Sequence, residues 1–254
     1  MTRTALALAL LAVTLAACTG APPPRRTVDP AQVPDAVPRA EPRAARGNPP
    51  FYEVFGERYV VLPTADGYVE RGVASWYGPD FHGGSTSTGE QYDMYAMTAA
   101  HNTLPLPAYA RVTNLQNGRS VVVRINDRGP FKKNRIIDLS YAAAVRLDIV
   151  REGTALVEVS VVGPSSPPTV VAASAGPQRL FAQAGAFADE SNARRLAEGL
   201  AATGIQGVTV DRGTGGGRTL FRVRIGPLDS VAAYDSVVER MRSAGFTSVM
   251  LALD

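Results

Sequence analysis

The side chains best suited to chemistry concentrate between residues 72 and 140. This stretch holds the only tryptophan of the chain, Trp76, and both of its histidines, His82 and His101. It also holds carboxyl groups that can exchange protons with a bound substrate, a task for which proteins use acidic side chains and histidine. Four residues are our candidates for such a role: Asp127, Glu90, His101 and Asp138.

Each candidate also has a purely structural interpretation. Asp127, within an Asn-Asp-Arg-Gly-Pro run, could form a turn, because Asp and Asn side chains bond their own backbone. Asp138 could support the start of the helix that follows, and Glu90 could be a solvated loop carboxylate. Both histidines could be hydrogen-bonded structural residues. A metal site is not expected, because the spacing of the histidines and the absence of nearby cysteines match no common ligand pattern.

The elements that must position these side chains are mostly strands. Two β-prone runs, residues 109–115 and 120–126, flank an Asn-Gly pair, which is the strongest short-range signal of a hairpin. A short helix follows, with Ser140 as its predicted cap and Ala143, Ala144 and Leu147 as a narrow apolar stripe. Residues 155–162 are predicted to close this domain, residues 73–162, as a further strand.

A pseudo-repeat organises the C-terminal domain, residues 178–254. Leu180-Phe181 recurs as Leu220-Phe221, and the helix-ending Gly204 recurs as Gly245, at an offset of 40 to 41 residues. Each half therefore predicts a strand-helix-strand unit, and the two halves predict a four-stranded sheet with two helices on one face. The bare face of that sheet is where we expect a ligand.

The motifs of residues 72–140, taken together and in order, resemble the rare lipoprotein A (RlpA) family of septal lytic transglycosylases and, more distantly, expansins and endoglucanases. The resemblance implies a six-stranded double-psi β-barrel. The positions that match the family's functional acids are Glu90 and Asp127, with His101 nearby, and Asp138 matches an acid on which expansins and endoglucanases depend. For the general acid/base we favour Asp127, then Glu90.

Residues 178–254 resemble a SPOR domain, with a ferredoxin-like fold, which recognises glycan strands stripped of stem peptides. Such strands carry lactyl carboxylates that arginines can pair with. Two loops depart from the barrel family's usual pattern, at Leu104-Pro-Leu-Pro-Ala108 and at Gly84-Ser85. We expect these departures to affect how the cleft reaches its substrate more than the fold. We expect the following residues to bind substrate: Trp76, Tyr77 (one in the core, one on the cleft wall), His82, Asp93, Arg128, Phe181, Gln183, Phe221, Arg222 and Arg224.

The ends of the chain predict export. One positive charge, Arg3, and an apolar run precede Cys18, the only cysteine, so residues 1–17 are predicted to be a signal peptide and Cys18 a lipidation site. Thr19 favours the outer membrane by resemblance to bacterial lipoproteins. The proline-rich residues 18–50 predict an extended linker that reaches about 90 Å, residues 51–72 a packed lead-in, and residues 163–177 a second linker.

Composition narrows the partners. The net charge is +3, but basic and acidic residues balance within each segment, which argues against nucleic acid. Only two of the 26 basic residues are lysine, which we interpret as compositional bias. The leading hypothesis is a lytic transglycosylase that needs no cofactor, acts on peptidoglycan strands at the septum and faces the periplasm, with division proteins as further partners. The alternatives are an expansin-like binding module without catalysis and a tether between membrane and wall.

Overall fold

The structure, a computed structural model, describes residues 29–164 and 179–254. The predicted signal peptide, Cys18 and most of the second linker lie outside these residues. Within the two described ranges, no helix is long and apolar enough to cross a membrane.

The first domain contains eight strands and one helix: β1 (Phe51–Val54), β2 (Glu57–Val60), β3 (Val69–Trp76), β4 (Thr98–His101), β5 (Ala108–Asn114), β6 (Ser120–Asp127), β7 (Ile137–Leu139), α1 (Tyr141–Leu147) and β8 (Ala155–Val161). Short 3-10 helices cover Pro30–Gln32 and Pro79–Phe81. The lead-in is the β1-β2 hairpin, in which Tyr52 and Tyr59 stack.

Six strands close into a barrel in the order β3-β7-β4-β6-β5-β8. Most neighbours are antiparallel, but β3 pairs with β7 and β4 with β6 in parallel. The predicted β5-β6 hairpin is confirmed, and its turn places Gly118 at a positive φ that suits glycine. Val121, Val123 and Ile125 are buried, so alternate residues of β6 fill the barrel core.

Helix α1 begins where the sequence predicts. The Ser140 hydroxyl accepts a hydrogen bond from the Ala143 amide, which satisfies one of the free N–H groups of the first turn. Ala143, Ala144 and Leu147 are fully buried against the barrel. The helix follows β7 directly, so its position is fixed by the strand that carries Asp138.

The prediction of a free proline-rich linker is wrong for the part of the linker that the structure describes. The chain there is extended but lies on the barrel, with Val33 and Ala36 packed against the core. The Ala36 and Ala44 amides donate to barrel carbonyls, and two ion pairs add to these bonds, Asp35 with Arg146 and Glu41 with Arg124. Hydrogen bonds to barrel backbone and paired charges hold this segment without any periodic apolar pattern.

The C-terminal domain contains β9 (Leu180–Phe187), α2 (Glu190–Ala202), β10 (Val208–Gly215), β11 (Arg218–Leu228), α3 (Val231–Ser243) and β12 (Met250–Leu253). The sheet order is β10-β11-β9-β12, all antiparallel. Asp189 and Ser230 cap the two helices. The helices bury their apolar side chains against one face of the sheet, so the four-stranded sheet with two helices is confirmed.

The two domains touch. Arg135, whose side chain is 1% exposed, forms a two-pronged ion pair with Asp235 of α3. Arg242 of α3 donates to the side chain of Asn134 at 3.1 Å. Because a buried charge requires its partner, this contact holds the loop that carries Asn134 and Arg135 against the C-terminal domain.

Candidate active site

A cleft with a volume of about 470 Å³ lies at the end of the barrel where β3 and β6 finish. Ser75 and Trp76 of β3, Asp127 of β6 and Asp138 of β7 line it. A loop that includes Phe131 forms another side. The cleft therefore combines acidic groups with aromatic surface, which suits a sugar ring with a polar edge and an apolar face.

Strand register brings the two acids of the cleft to the same level. Ala100 of β4 pairs with Asp127 on one side and with Asp138 on the other. Neighbouring strands are about 4.8 Å apart, so the two backbones are separated by roughly 10 Å, and opposed residues point to the same face of the sheet. Gly129, at φ +134, turns the chain so that a Cβ there would be 3.9 Å from Asp138 Oδ2.

Asp127 is held by one of its two oxygens. Its Oδ1 accepts hydrogen bonds from the Ser87 amide at 2.8 Å, the Ser87 hydroxyl at 2.6 Å and the Arg128 amide at 2.7 Å. No described residue donates to Oδ2. Three donors fix the carboxylate in place and leave the second oxygen available to a ligand.

Asp138 has the more protected environment of the two acids. The Ser75 hydroxyl donates to its Oδ1 across the β3-β7 pair. Burial raises the pKa of Asp138, against the smaller lowering effects of the Ser75 hydrogen bond and of the charge on Arg135. A carboxyl whose pKa is raised by burial keeps its proton to higher pH, which is the property a general acid needs.

Both aromatic residues of the predicted substrate surface line the cleft. Trp76 packs against the barrel core and lies 5.6 Å from the ring of Tyr141, whereas Tyr77 meets Tyr92 edge to face at 4.7 Å. Both residues line the cleft, so the expected division into one core residue and one wall residue is not met.

Glu90 lies on the flank of the barrel, outside the residues that line the cleft. Arg124 donates to both of its oxygens, and Asn126 donates to Oε2 at 2.8 Å. Arg124 also binds Glu41 of the N-terminal segment. Glu90 thus belongs to a network with Arg124 and Asn126, which lie just before Asp127 in the chain. The expectation that Glu90 shares the cleft with Asp127 is not met in this structure.

His101 is buried beneath the site, with 2% of its surface exposed. The amides of Thr103 and Leu104 donate to its Nδ1, each at 3.1 Å, so Nε2 carries the proton and donates to the Tyr68 hydroxyl. Burial, followed by the positive charge of Arg128, lowers the pKa of His101 to about 3. His101 is therefore neutral at physiological pH and does not line the cleft.

Arg128 lines the cleft, but its guanidinium is directed elsewhere. It donates to the carbonyls of Gly47, His101 and Leu104 and to the side chain of Asn48. This arginine connects the N-terminal segment to the loop after β4. It therefore supports the backbone that presents Asp127.

His82 and Asp93 organise a loop outside the cleft. His82 Nδ1 accepts from the Met94 amide at 3.2 Å and is 3.8 Å from Asp93, which itself accepts from the Tyr95 amide. Neither residue is among those that line the cleft. Their predicted role in substrate binding is not supported by this placement.

The bare face of the C-terminal sheet carries a groove of about 420 Å³. Phe181, Arg222 and Arg224 line it. Register places Gln183 opposite Arg224, on the same face. Arg224 is bound by both oxygens of Asp254. Phe221 is the exception among the predicted residues, because it alternates with the groove-facing arginines and packs against the helix-side core.

Several residues of the cleft were not among the sequence candidates, including Ser75, Tyr92, Phe131 and Lys132. Ser87, which donates to Asp127, was not a candidate either. Ser75 lies directly opposite Asp138 in the β3-β7 pair, which alternation along the Ala-Ser-Trp-Tyr run could have indicated. No local pattern indicates Ser87, which reaches Asp127 from 40 residues away. Among the described residues, no group of three or more His, Cys, Asp or Glu side chains could hold a metal ion.

The fold and the site define a class: a double-psi β-barrel protein with two carboxyl groups in one cleft, joined to an α+β domain with a four-stranded sheet and two helices. Comparison with known proteins agrees with this class. Residues 69–159 match the family described as "Lytic transglycolase", and residues 176–252 match the SPOR domain.

Three relatives carry the same description, endolytic peptidoglycan transglycosylase RlpA. The protein from Vibrio cholerae is 39% identical over 85% of this chain and 81% of its own length. That from Pseudomonas aeruginosa is 47% identical over 67% of this chain and 51% of its own length, and that from Neisseria meningitidis is 55% identical over 51% and 54%. The chain belongs to the RlpA family, although it spans only about half the length of the Pseudomonas and Neisseria relatives.

Proposed function

We propose that this protein is an endolytic peptidoglycan lytic transglycosylase that cuts peptide-poor glycan strands and leaves 1,6-anhydromuramic ends. The proposal rests on one observation: Asp127 and Asp138 line the same cleft, at the same level of the barrel. The names of its relatives, endolytic peptidoglycan transglycosylases, support the reaction.

Cleavage of a β-1,4 glycosidic bond needs a proton for the departing oxygen and stabilisation of positive charge at the anomeric carbon. In our mechanism Asp138 gives its proton to the glycosidic oxygen as the C1–O bond breaks. The C6 hydroxyl of the same muramoyl residue then attacks C1, and Asp138 takes the hydroxyl proton as the ring closes. No water is consumed, and Asp138 returns to its starting state.

Asp127 has the complementary role in this mechanism. Its carboxylate is fixed by Ser87 and the Arg128 amide, and its free oxygen is available to stabilise the positive charge that develops at C1. The raised pKa of Asp138 supports the choice of Asp138 as the proton carrier. This assignment differs from the order that the sequence favours, Asp127 and then Glu90.

The remaining parts position the substrate and the enzyme. Trp76 and Tyr77 offer ring faces for sugars, and the groove with Phe181 and Arg222 holds a peptide-poor strand. Lipidation of Cys18 would anchor the protein to the outer membrane, facing the periplasm and the septum. Because the chain lies on the barrel from Val33 onward, the fourteen residues 19–32, at about 3.5 Å each, allow a tether of at most about 50 Å.

Digestion of denuded sacculi by the purified protein, followed by mass analysis of the ends, tests the function. We expect anhydromuramic ends from the wild type and a loss of at least about 100-fold in kcat from Asp138→Asn and from Asp127→Asn. Asp93→Asn is the matched control, an exposed acid outside the cleft. Full activity of both cleft variants would exclude this mechanism, and binding without any cleavage by the wild type would favour the expansin-like alternative.

A further inference from the structure

A second pocket lies beside the cleft, where the barrel meets the C-terminal domain. Its volume is about 300 Å³. We call it the interdomain pocket and define it by Glu57, Lys132, Lys133, Arg135, Arg242 and Thr247. Pro130 and Lys132 line both this pocket and the cleft, so the two spaces share a wall.

The interdomain pocket has an excess of positive charge. Four cationic side chains line it against one carboxylate, that of Glu57. Lys132 and Lys133 are the only two lysines of the chain. Composition alone gives no meaning to the scarcity of lysine, but both lysines line this one pocket. Such a concentration of one sign of charge attracts anions of the opposite sign.

The cations of the pocket differ in how far they are already paired. Arg135 is neutralised by Asp235, although its buried Nε has no hydrogen-bond partner among the described residues. Lys133 is 3.4 Å from Glu57. Lys132 forms no hydrogen bond or ion pair with any described residue. At least one ammonium group therefore remains available to a ligand.

A peptide-free glycan strand supplies the complementary group. Each of its muramoyl residues ends its lactyl substituent in a carboxylate, whereas a stem peptide converts that carboxylate into a neutral amide and adds bulk. A strand held in the cleft extends beyond it in both directions. The next muramoyl residue along the strand, beyond the glucosamine that separates it from the one being cut, can therefore place its lactyl group in the pocket that shares the cleft's wall.

We propose that the interdomain pocket binds the lactyl carboxylate of the next muramoyl residue along the strand from the one being cut, and that Lys132 and Lys133 make the enzyme prefer peptide-free strands. This inference rests on the proposed function and adds a specificity site to it. Lysine suits the task because its ammonium is a compact charge on a flexible stem. It can therefore reach the lactyl carboxylate in glycan strands of different conformation.

The test compares two substrates that differ in one group. Denuded strands are used either with free carboxylates or after conversion of those carboxylates to methylamides, and kcat/KM is measured for each. We expect the wild type to prefer the free acid. The Lys132→Gln/Lys133→Gln variant should reduce that preference about five-fold, the size expected for two partly exposed ion pairs. Higher salt should reduce the wild-type preference in the same direction.

Two further variants make the result specific. Lys132→Arg/Lys133→Arg keeps the charge and should retain most of the preference. Arg151→Gln removes an exposed cation that does not line the pocket and should leave the preference unchanged. An unaltered preference in the double glutamine variant would overturn the inference while the proposed function stands. If the wild type cuts neither substrate, the proposed function fails, and equilibrium binding of the two strands to the same variants still tests the pocket.

Discussion

Acid should destabilise the barrel through His101. Burial and the charge of Arg128 lower its pKa from 6.5 to about 3 in the folded protein. Between these values the unfolded chain binds a proton that the folded chain does not. The stabilisation is therefore complete above pH 6.5 and is lost as the pH falls toward 3. At 1.36 kcal/mol for each tenfold difference in proton affinity, the full effect is about 5 kcal/mol.

Urea unfolding between pH 4 and 6.5 measures this effect directly. Trp76 is the only tryptophan and lies in the barrel, so its fluorescence reports on that domain. The free energy of unfolding of the wild type should fall about 1.4 kcal/mol more per pH unit than that of His101→Gln, which cannot take up the proton. His82→Gln is the control, because His82 is 47% exposed and lies outside the barrel core.

Equal pH slopes for the wild type and His101→Gln would refute this account of His101. A kinetic measurement gives a second check. A histidine that stays neutral throughout this range cannot produce an inflection near pH 6.5 in kcat. Such an inflection, lost in His101→Gln but kept in His82→Gln, would assign His101 to proton transfer with the substrate.

Other contacts predict further outcomes. Cleavage should slow as the pH rises through the raised pKa of Asp138, because the ionised form cannot protonate the leaving oxygen; initial rates from pH 4 to 8 measure this. Asn48→Ala should lower the free energy of unfolding by about 1–3 kcal/mol in urea titrations, because the side chain bonds both the amide and the carbonyl of Leu106. Asp235→Asn should cost about 3–5 kcal/mol by the same measurement, because it leaves Arg135 buried without its partner charge.

Matched controls separate these effects from general damage. Gln32→Ala removes an exposed side-chain amide that donates to Asp29, and Glu190→Gln breaks an exposed ion pair on a helix. Both should change stability by less than about 1 kcal/mol. A rate that increases steadily to pH 8, or a loss for Asn48→Ala and Asp235→Asn no larger than for these controls, would contradict the corresponding contact.

Local sequence determined the elements of this protein. The alternation along β6, the Asn-Gly hairpin turn and the caps Ser140, Asp189 and Ser230 depend on residues close in the chain. The hairpin turn and the Ser140 cap were predicted correctly. The pseudo-repeat likewise predicted the C-terminal sheet with its two helices. Phe221 was the exception, because the face of a strand is set by what packs against it.

Tertiary structure decided the site. The barrel's register brings Asp127 and Asp138 to either side of Ala100, sends Glu90 to an arginine on the flank and buries His101 under a tyrosine. It also lays the proline-rich segment on the barrel. These outcomes join residues tens of positions apart, so no local pattern contains them. The sequence identified the candidate acids. Which acid holds a proton depends on the distance, burial and charge around each of them, and these arise only when the strands close into the barrel.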